Sequence, residues 1–468
     1  MAVDRLLLVN AMVGQFITGF ATRSFIVGIP TIASALHADI VGISWAIVAY
    51  QLAGISLSVV FGRLGDLHGR RLIYGAGFGI MAASALACGL ATSVTWLVLF
   101  RLVAGVGAAM LASATRVLAL EAMPDDAAGK AHGLMTVAFH GGVLLGPPLG
   151  GLVIDLVSWR WVFLLLVPIG VLGVVLTALT AGRTEPTPST RPAVDYVGAA
   201  LLIVLTLLLE QRSASAIGAG RSGVIASVFA VALVGFVVHE RRTRHPVVNL
   251  ALFRIRMFAF SVLSLLIITT ATSVMALLLP FYLQDVLHHS PAFTGVVFLF
   301  APVFTIGLAP LVGRLADRIG PRIPTSIGVL MNTGALLVGM QLGPESHWLL
   351  PATLMALAGL GQGFFNPSNQ MALIGAVPRG YRGFAAGMVQ MVFGLGGLLG
   401  TALGSALLTT MFRYATGLQD ATPDPRHAGP FVLAMNGTFA VCLGLTVIAL
   451  AASLLRGPRT AASESPSS

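Results

Sequence analysis

A ten-residue stretch occurs twice in this chain. Gly62-Arg63-Leu64-Gly65-Asp66-Leu67-His68-Gly69-Arg70-Arg71 returns 251 residues later as Gly313-Arg314-Leu315-Ala316-Asp317-Arg318-Ile319-Gly320-Pro321-Arg322, with Gly, Arg, Leu, Asp, Gly and Arg held in register. Gly105, Gly107, Pro124, Gly129, Gly133, Gly142, Gly146 and Gly150 each meet the same residue type 254 positions on, from Gly359 to Gly404. The chain is also very apolar: 56% of its 468 residues are hydrophobic, 9% are charged, and the mean hydropathy is +0.92. A soluble domain carries about 25% charge. A long repeat in so apolar a chain predicts an all-α polytopic membrane protein built from two copies of one helical bundle.

Apolar runs long enough to span a bilayer, roughly 20 residues each, recur along the chain. Their breakers give fourteen cores: 7–30, 43–61, 72–91, 96–118, 133–155, 160–181, 197–210, 223–238, 257–281, 292–312, 323–342, 348–368, 383–409 and 431–455. The two repeated loops must face the same side of the membrane, so an even number of spans separates them. Six spans of about 32 residues would need roughly 190 residues, and the longer spacing leaves room for two more. The organisation expected is a six-helix bundle over 1–181 and two inserted transmembrane helices with a basic cytoplasmic loop over 182–256. A second six-helix bundle follows over 257–456, then a disordered tail over 457–468. A twelve-span alternative turns 197–210 and 223–238 into interfacial segments.

The formal net charge of +10 could suggest nucleic acid. Most of the basic residues, however, fall in loops assigned to the cytoplasm, so the charge is read as setting topology, with both termini inside. No nucleic-acid partner is expected. No small-residue cleavage site follows the first apolar core, so the first helix is expected to stay as an anchor. Cys88 and Cys442 lie in apolar runs and read as packing residues.

Several residues stand out against this background. Arg23, Arg101 and Arg116 lie in apolar runs, where a guanidinium at mid-bilayer costs about 2.5–3.5 kcal/mol on insertion scales. Each should therefore face the protein interior or a cavity. Arg116 is expected to snorkel or to pair with Glu121 or Asp66. His140 is a candidate proton site, against the plainer role of a hydrogen-bonded packing residue. Gly142, Gly146 and Gly150 are spaced by four and line one ridge of a helix, next to Pro147, Pro148 and Gly151; such a ridge lets a neighbouring helix approach closely. Asp66 and Asp317 sit beside Arg63, Arg70, Arg71 and Arg322, where an acid can pair with Arg or accept backbone N–H groups and so lock two helices together. No nucleophile elbow, phosphate-binding loop or metal-ligand spacing appears, so neither an enzyme nor a cofactor is expected.

The motifs resemble a known family. GRLGDLHGRR at 62–71 is similar to the loop between the second and third helices of the major facilitator superfamily. LVLFRLVAGVGAA at 97–109 resembles its fourth-helix motif, with Arg101 as the motif arginine. GGVLLGPPLGG at 141–151 resembles the fifth-helix antiporter motif. SWRWVFLLLVPIG at 158–170 and LPFYLQDVL at 279–287 resemble the fourteen-helix drug:proton antiporter branch. The resemblance implies proton-driven efflux of a drug, antibiotic or secondary metabolite across the cell membrane, by alternating access, with a small amphipathic substrate, the lipid bilayer as the only other partner, and a monomer as the working unit. It implies Arg101 in proton coupling, Gly62–Arg71 and Gly313–Arg322 as gating loops, and Gly142–Gly151 as the ridge that couples opening to proton entry. The chain departs from the branch in its first helix: Ala21 stands where an acidic residue is usual, and Arg23 is nearby. An anionic or neutral cargo is therefore expected in place of a lipophilic cation. The alternatives are an uptake or facilitated carrier for a small metabolite, and a membrane sensor that does not transport.

Overall fold

A computed structural model of the chain describes residues 5–123, 128–180, 250–378, 382–417, 423–425 and 427–456. Among them are thirteen α-helices and no strand. In chain order these are α1 Arg5–Ala35, α2 Ile40–His68, α3 Arg70–Gly89, α4 Val94–Glu121, α5 Ala128–Leu156, the short α6 Trp161–Leu164 and α7 Leu166–Thr180. They continue with α8 Arg256–Phe281, α9 Pro291–Ile319, α10 Arg322–Gly339, α11 Leu349–Gly375, α12 Arg382–Thr416 and α13 Ala428–Leu454. A 3-10 turn, Leu250–Arg254, precedes α8, and a π-helical turn, Tyr282–Val286, follows it. Each predicted core outside 181–249 falls on a helix. The cores 197–210 and 223–238 lie outside the described residues, as does the tail over 457–468.

Among the described residues, ten candidate spans are long and apolar enough to cross a membrane. The helices α10 and α11 are not among them. α11 carries Gln362, Asn366, Ser368, Asn369 and Gln370, which lower its hydropathy.

The repeated motif is helical, where a loop was expected. α2 continues through Gly62, Arg63 and Asp66 to His68, and α3 begins at Arg70. One residue makes the break: Gly69 has φ +99°, and its N–H closes on the Gly65 carbonyl at 2.9 Å. The second copy behaves alike. α9 runs through Gly313 and Asp317 to Ile319, Gly320 has φ +81°, and α10 begins at Arg322. Both glycines sit in the left-handed region that side chains disfavour. Asp66 and Asp317 therefore stand in the last turns of their helices, at the C-terminal ends rather than at N-termini.

The chain forms two compact units. Of the described residues, 5–180 and Leu283–Leu299 make the first, while 250–282 and 300–456 make the second. The second half of the sequence thus lends its stretch Leu283–Leu299 to the first unit. In the first unit α1 packs along α5, α4 between α2 and α3, and α7 on α3. In the second unit α8 packs along α12, α11 on α10, and α13 against α8, α10 and α12.

The duplication persists at the level of single contacts. A methyl group on Gly105 would lie 2.8 Å from the Ala53 Cβ and press into the Tyr50 carbonyl; one on Gly359 would press into the carbonyl of Ala301, 251 residues after Tyr50. A methyl on Gly107 would sit 3.0 Å from the Gly77 carbonyl oxygen, and one on Gly361 2.9 Å from that of Gly328. The ridge of α5 meets α1, with Gly142 against Phe16 and Phe20, Gly146 against Phe20 and Ser24, and Gly150 against Ser24. The ridge of α12 meets α8, with Gly396 against Leu266 and Thr269, Gly400 against Thr270 and Ser273, and Gly404 against Val274. Corresponding glycines meet corresponding residues, closely at the first two positions of each ridge, while Gly404 makes only ordinary side-chain contact with Val274 and Leu277 where Gly150 presses on the Ser24 backbone.

Candidate functional site

The scaffold contacts are duplicated, but the polar groups are not. Arg101 on α4 is 3% exposed. Its Nε donates to the Ala46 carbonyl at 3.2 Å. The guanidinium carbon lies 4.3 Å from the centroid of the Tyr50 ring and 4.5 Å from that of Phe25. Two aromatic faces on α1 and α2 thus cage the cation and replace part of its hydration, each contact contributing about 0.5–2 kcal/mol. Applying the offsets of the repeat, the second unit has Met355, Ala301 and Met275 at the equivalent places, so it holds no such cage.

Arg23 sits near the middle of α1 and is half-buried. Its Cβ lies against Gly146, as that of Ser273 lies against Gly400 in the other unit. No hydrogen bond or ion pair holds its guanidinium among the described residues. His140, half-buried on α5, places Nδ1 2.9 Å from the Thr136 carbonyl oxygen. A carbonyl only accepts, so Nδ1 carries the proton and Nε2 is left as the basic nitrogen in the neutral ring. The ring stands edge-on to Phe139.

At the α2–α3 junction, Arg70 pairs with Glu121 at 3.4 Å and Arg71 donates to the Thr180 carbonyl. Glu121, expected as a partner of Arg116, is thus engaged from α3. The side chains of Arg63, Asp66 and Arg116 lie outside the described set. At the matching junction of the second unit, Asp317 and Arg322 are exposed. On α5, Gly142, Gly146 and Gly150 face α1, while Pro147 and Gly151 meet the lent segment, at Gly295 and Pro291 respectively.

Three polar features gave no signal in the sequence. Gln284, in the π-helical turn, donates through Nε2 to the Val27 carbonyl at 2.7 Å and accepts from Thr31 Oγ1 at 3.0 Å. It thereby clamps α1 on both sides of Pro30. Asp155 Oδ2 accepts the Ala292 N–H at 2.9 Å, at the start of α9. In the second unit Asn366 Nδ2 donates to Gln362 Oε1 at 2.8 Å, and Gln362 Nε2 donates to Thr272 Oγ1 at 2.9 Å. Thr272 in turn donates to the Ile268 carbonyl at 2.7 Å. This neutral ladder ends on Asn366 Oδ1, a buried oxygen with no hydrogen-bond partner. No group of three His, Cys, Asp or Glu among the described residues is placed to hold a metal.

The pattern of the Major Facilitator Superfamily matches residues 11–401, and again residues 260–468. The chain belongs to the Major Facilitator Superfamily. Its membership makes it a multi-pass membrane transporter rather than an enzyme. It is 30% identical over 387 residues to the multidrug resistance protein B homolog of Mycobacterium tuberculosis, covering 80% of this chain and 70% of the relative. It is 24% identical over 452 residues to the riboflavin transporter RibZ of Clostridioides difficile, covering 95% and 96%. Its fold matches that of a bacterial homolog of the human lysosomal transporter Spinster, with a TM-score of 0.70, 14% identity and 96% of each chain covered.

Proposed function

We propose that this superfamily member is a fourteen-helix, proton-coupled exporter of a drug, antibiotic or secondary metabolite. It works as a monomer in the cell membrane, with both termini in the cytoplasm and the cargo moving by alternating access. The observation that carries the reading is the caged Arg101. A buried guanidinium held by two rings and one carbonyl, with no carboxylate partner among the described residues, is a fixed positive charge whose field changes when a proton or an anion enters nearby. Arg101 and His140 are the residues proposed to couple proton entry to movement, with the Gly142–Gly151 ridge keeping α1 and α5 in register. The name of the mycobacterial relative supports a drug as cargo.

The test is expression in an efflux-deficient host, challenged with a panel of antibiotics with and without a protonophore. Raised resistance that the protonophore abolishes is the expected outcome. Unchanged sensitivity to the whole panel, with the protein present in the membrane, sinks the reading. A second reading, a metabolite carrier, is favoured by the nearly full-length match to a riboflavin transporter. Counterflow in vesicles with an imposed pH gradient separates the two: export needs the gradient, and facilitated exchange does not.

A further inference from the structure

We propose that Arg23 is the anchor for a negatively charged group on the cargo, which makes the cargo an organic anion. The inference rests on the export reading above and adds the charge of what is carried. Two arginines lie well inside described membrane helices with their side chains in view, and they are held in opposite ways. Arg101 is nearly fully buried and satisfied by two aromatic faces and a carbonyl. Arg23 is half-buried and makes no hydrogen bond or ion pair among the described residues. A guanidinium carries five N–H donors in a planar fork that matches a carboxylate, sulfonate or phosphate. A charge at this depth needs a partner or water; Arg101 has two rings and a carbonyl, whereas Arg23 has neither ring nor acceptor among the described residues.

Among the described residues nothing nearby supplies an opposite charge. The described acids are Asp39, Asp66, Glu121, Asp155, Asp285, Asp317, Glu345 and Asp424, and each lies in a loop, at a cap or in the terminal turn of its helix. α4, α5 and α7, which pack on α1, carry no acid before their last turns. Taken by itself, the second unit has only the neutral Thr272–Gln362–Asn366 ladder, and Ser273 takes the place that corresponds to Arg23. The interior charge among described residues is thus wholly positive, and it repels a lipophilic cation while Arg23 attracts an anion.

The probe is carboxyfluorescein, an anionic dye, with ethidium as the cationic counterpart. Binding to the purified full chain in nanodiscs is followed by fluorescence anisotropy, for the parent protein and for Arg23→Gln and Arg23→Lys. The parent is expected to bind carboxyfluorescein and to take ethidium far more weakly. Arg23→Gln should weaken carboxyfluorescein by about tenfold to a hundredfold, the range of a lost charged hydrogen bond. Arg23→Lys should keep the charge and retain most of the binding, which also controls for a variant that folds poorly. No binding of carboxyfluorescein, equal binding by Arg23→Gln, or ethidium bound more tightly than the anion would overturn the proposal. Counterflow on the same protein tests export separately: anion binding that survives without any gradient-driven movement refutes export and leaves the anion site standing.

Discussion

Tyr50 divides its work between ring and hydroxyl. The ring covers Arg101, while the hydroxyl is buried and no well-formed hydrogen bond holds it among the described residues. Replacing the hydroxyl alone removes an unsatisfied polar group, and replacing the ring removes the cation's cover. Tyr50→Phe should therefore melt at or above the parent temperature. Tyr50→Leu should lose about 0.5–2 kcal/mol and melt lower; thermal unfolding in detergent reads both. Equal melting of the two variants would mean that the ring does not hold the arginine. Arg456, just past the end of α13, poses the opposite case. It is 3% exposed, and none of its three side-chain nitrogens has a hydrogen-bond partner among the described residues. Burial pushes its guanidinium down to about 9, so at neutral pH the charge is present, and no acid among the described residues pairs with it. The sign is that of a base with a lowered folded value: the penalty is present below about pH 9 and fades as pH rises through it. Arg456→Met should raise the melting temperature at pH 7, and a fall instead would show that an anion meets the arginine there.

At the scale of the helix, adjacent glycines on α5 behave differently. A methyl group on Gly142 would lie 2.7 Å from the Phe20 backbone nitrogen and press on the Phe16 carbonyl, whereas one on Gly141 would only touch the Phe16 ring edge at 4.0 Å. Gly142→Ala must push α1 away and should cut stability by 1–3 kcal/mol, the usual cost of overpacking. Gly141→Ala should be neutral or slightly stabilising, since it also restricts the unfolded chain. Melting curves of the two variants check this, and equal losses would mean that helix propensity, not close approach, governs the ridge. The ridge was legible in the sequence because spacing by four places residues on one side of a helix. Its partner was not, because nothing in α5 says that α1 lies opposite. The helical course of 62–71 was not legible in the sequence for a related reason. Glycine and arginine together resemble a solvated turn, yet α2 needs only Gly69 at positive φ to turn into α3. Gln284 was invisible because a glutamine after an apolar run resembles a helix end at the water, and its target, Val27, is 257 residues away.

At the scale of the molecule, the duplicated contacts make a topological prediction. Thiols introduced at positions 66 and 317 should be labelled from the same side of the membrane by an impermeant maleimide. Cys88 and Cys442 are buried, so they should add little background. Labelling from opposite sides would refute a parallel repeat. The fold was legible because close helix packing demands glycine at fixed places, and those places recur. The cage around Arg101 was not, because Phe25 and Tyr50 are ordinary residues until the helices bring them together across α1, α2 and α4.

The uneven polar groups have a consequence for how such a protein changes over generations. After a gene doubles, each copy stays bound to the residues that hold it upright, and here those are the recurring glycines. Whatever the architecture does not require is open to drift in one copy without loss in the other. The serine at 273, the amides at 362 and 366 and the arginine at 23 occupy that freedom. Selection for a new compound should therefore leave its mark at these positions first, while the glycines stay untouched.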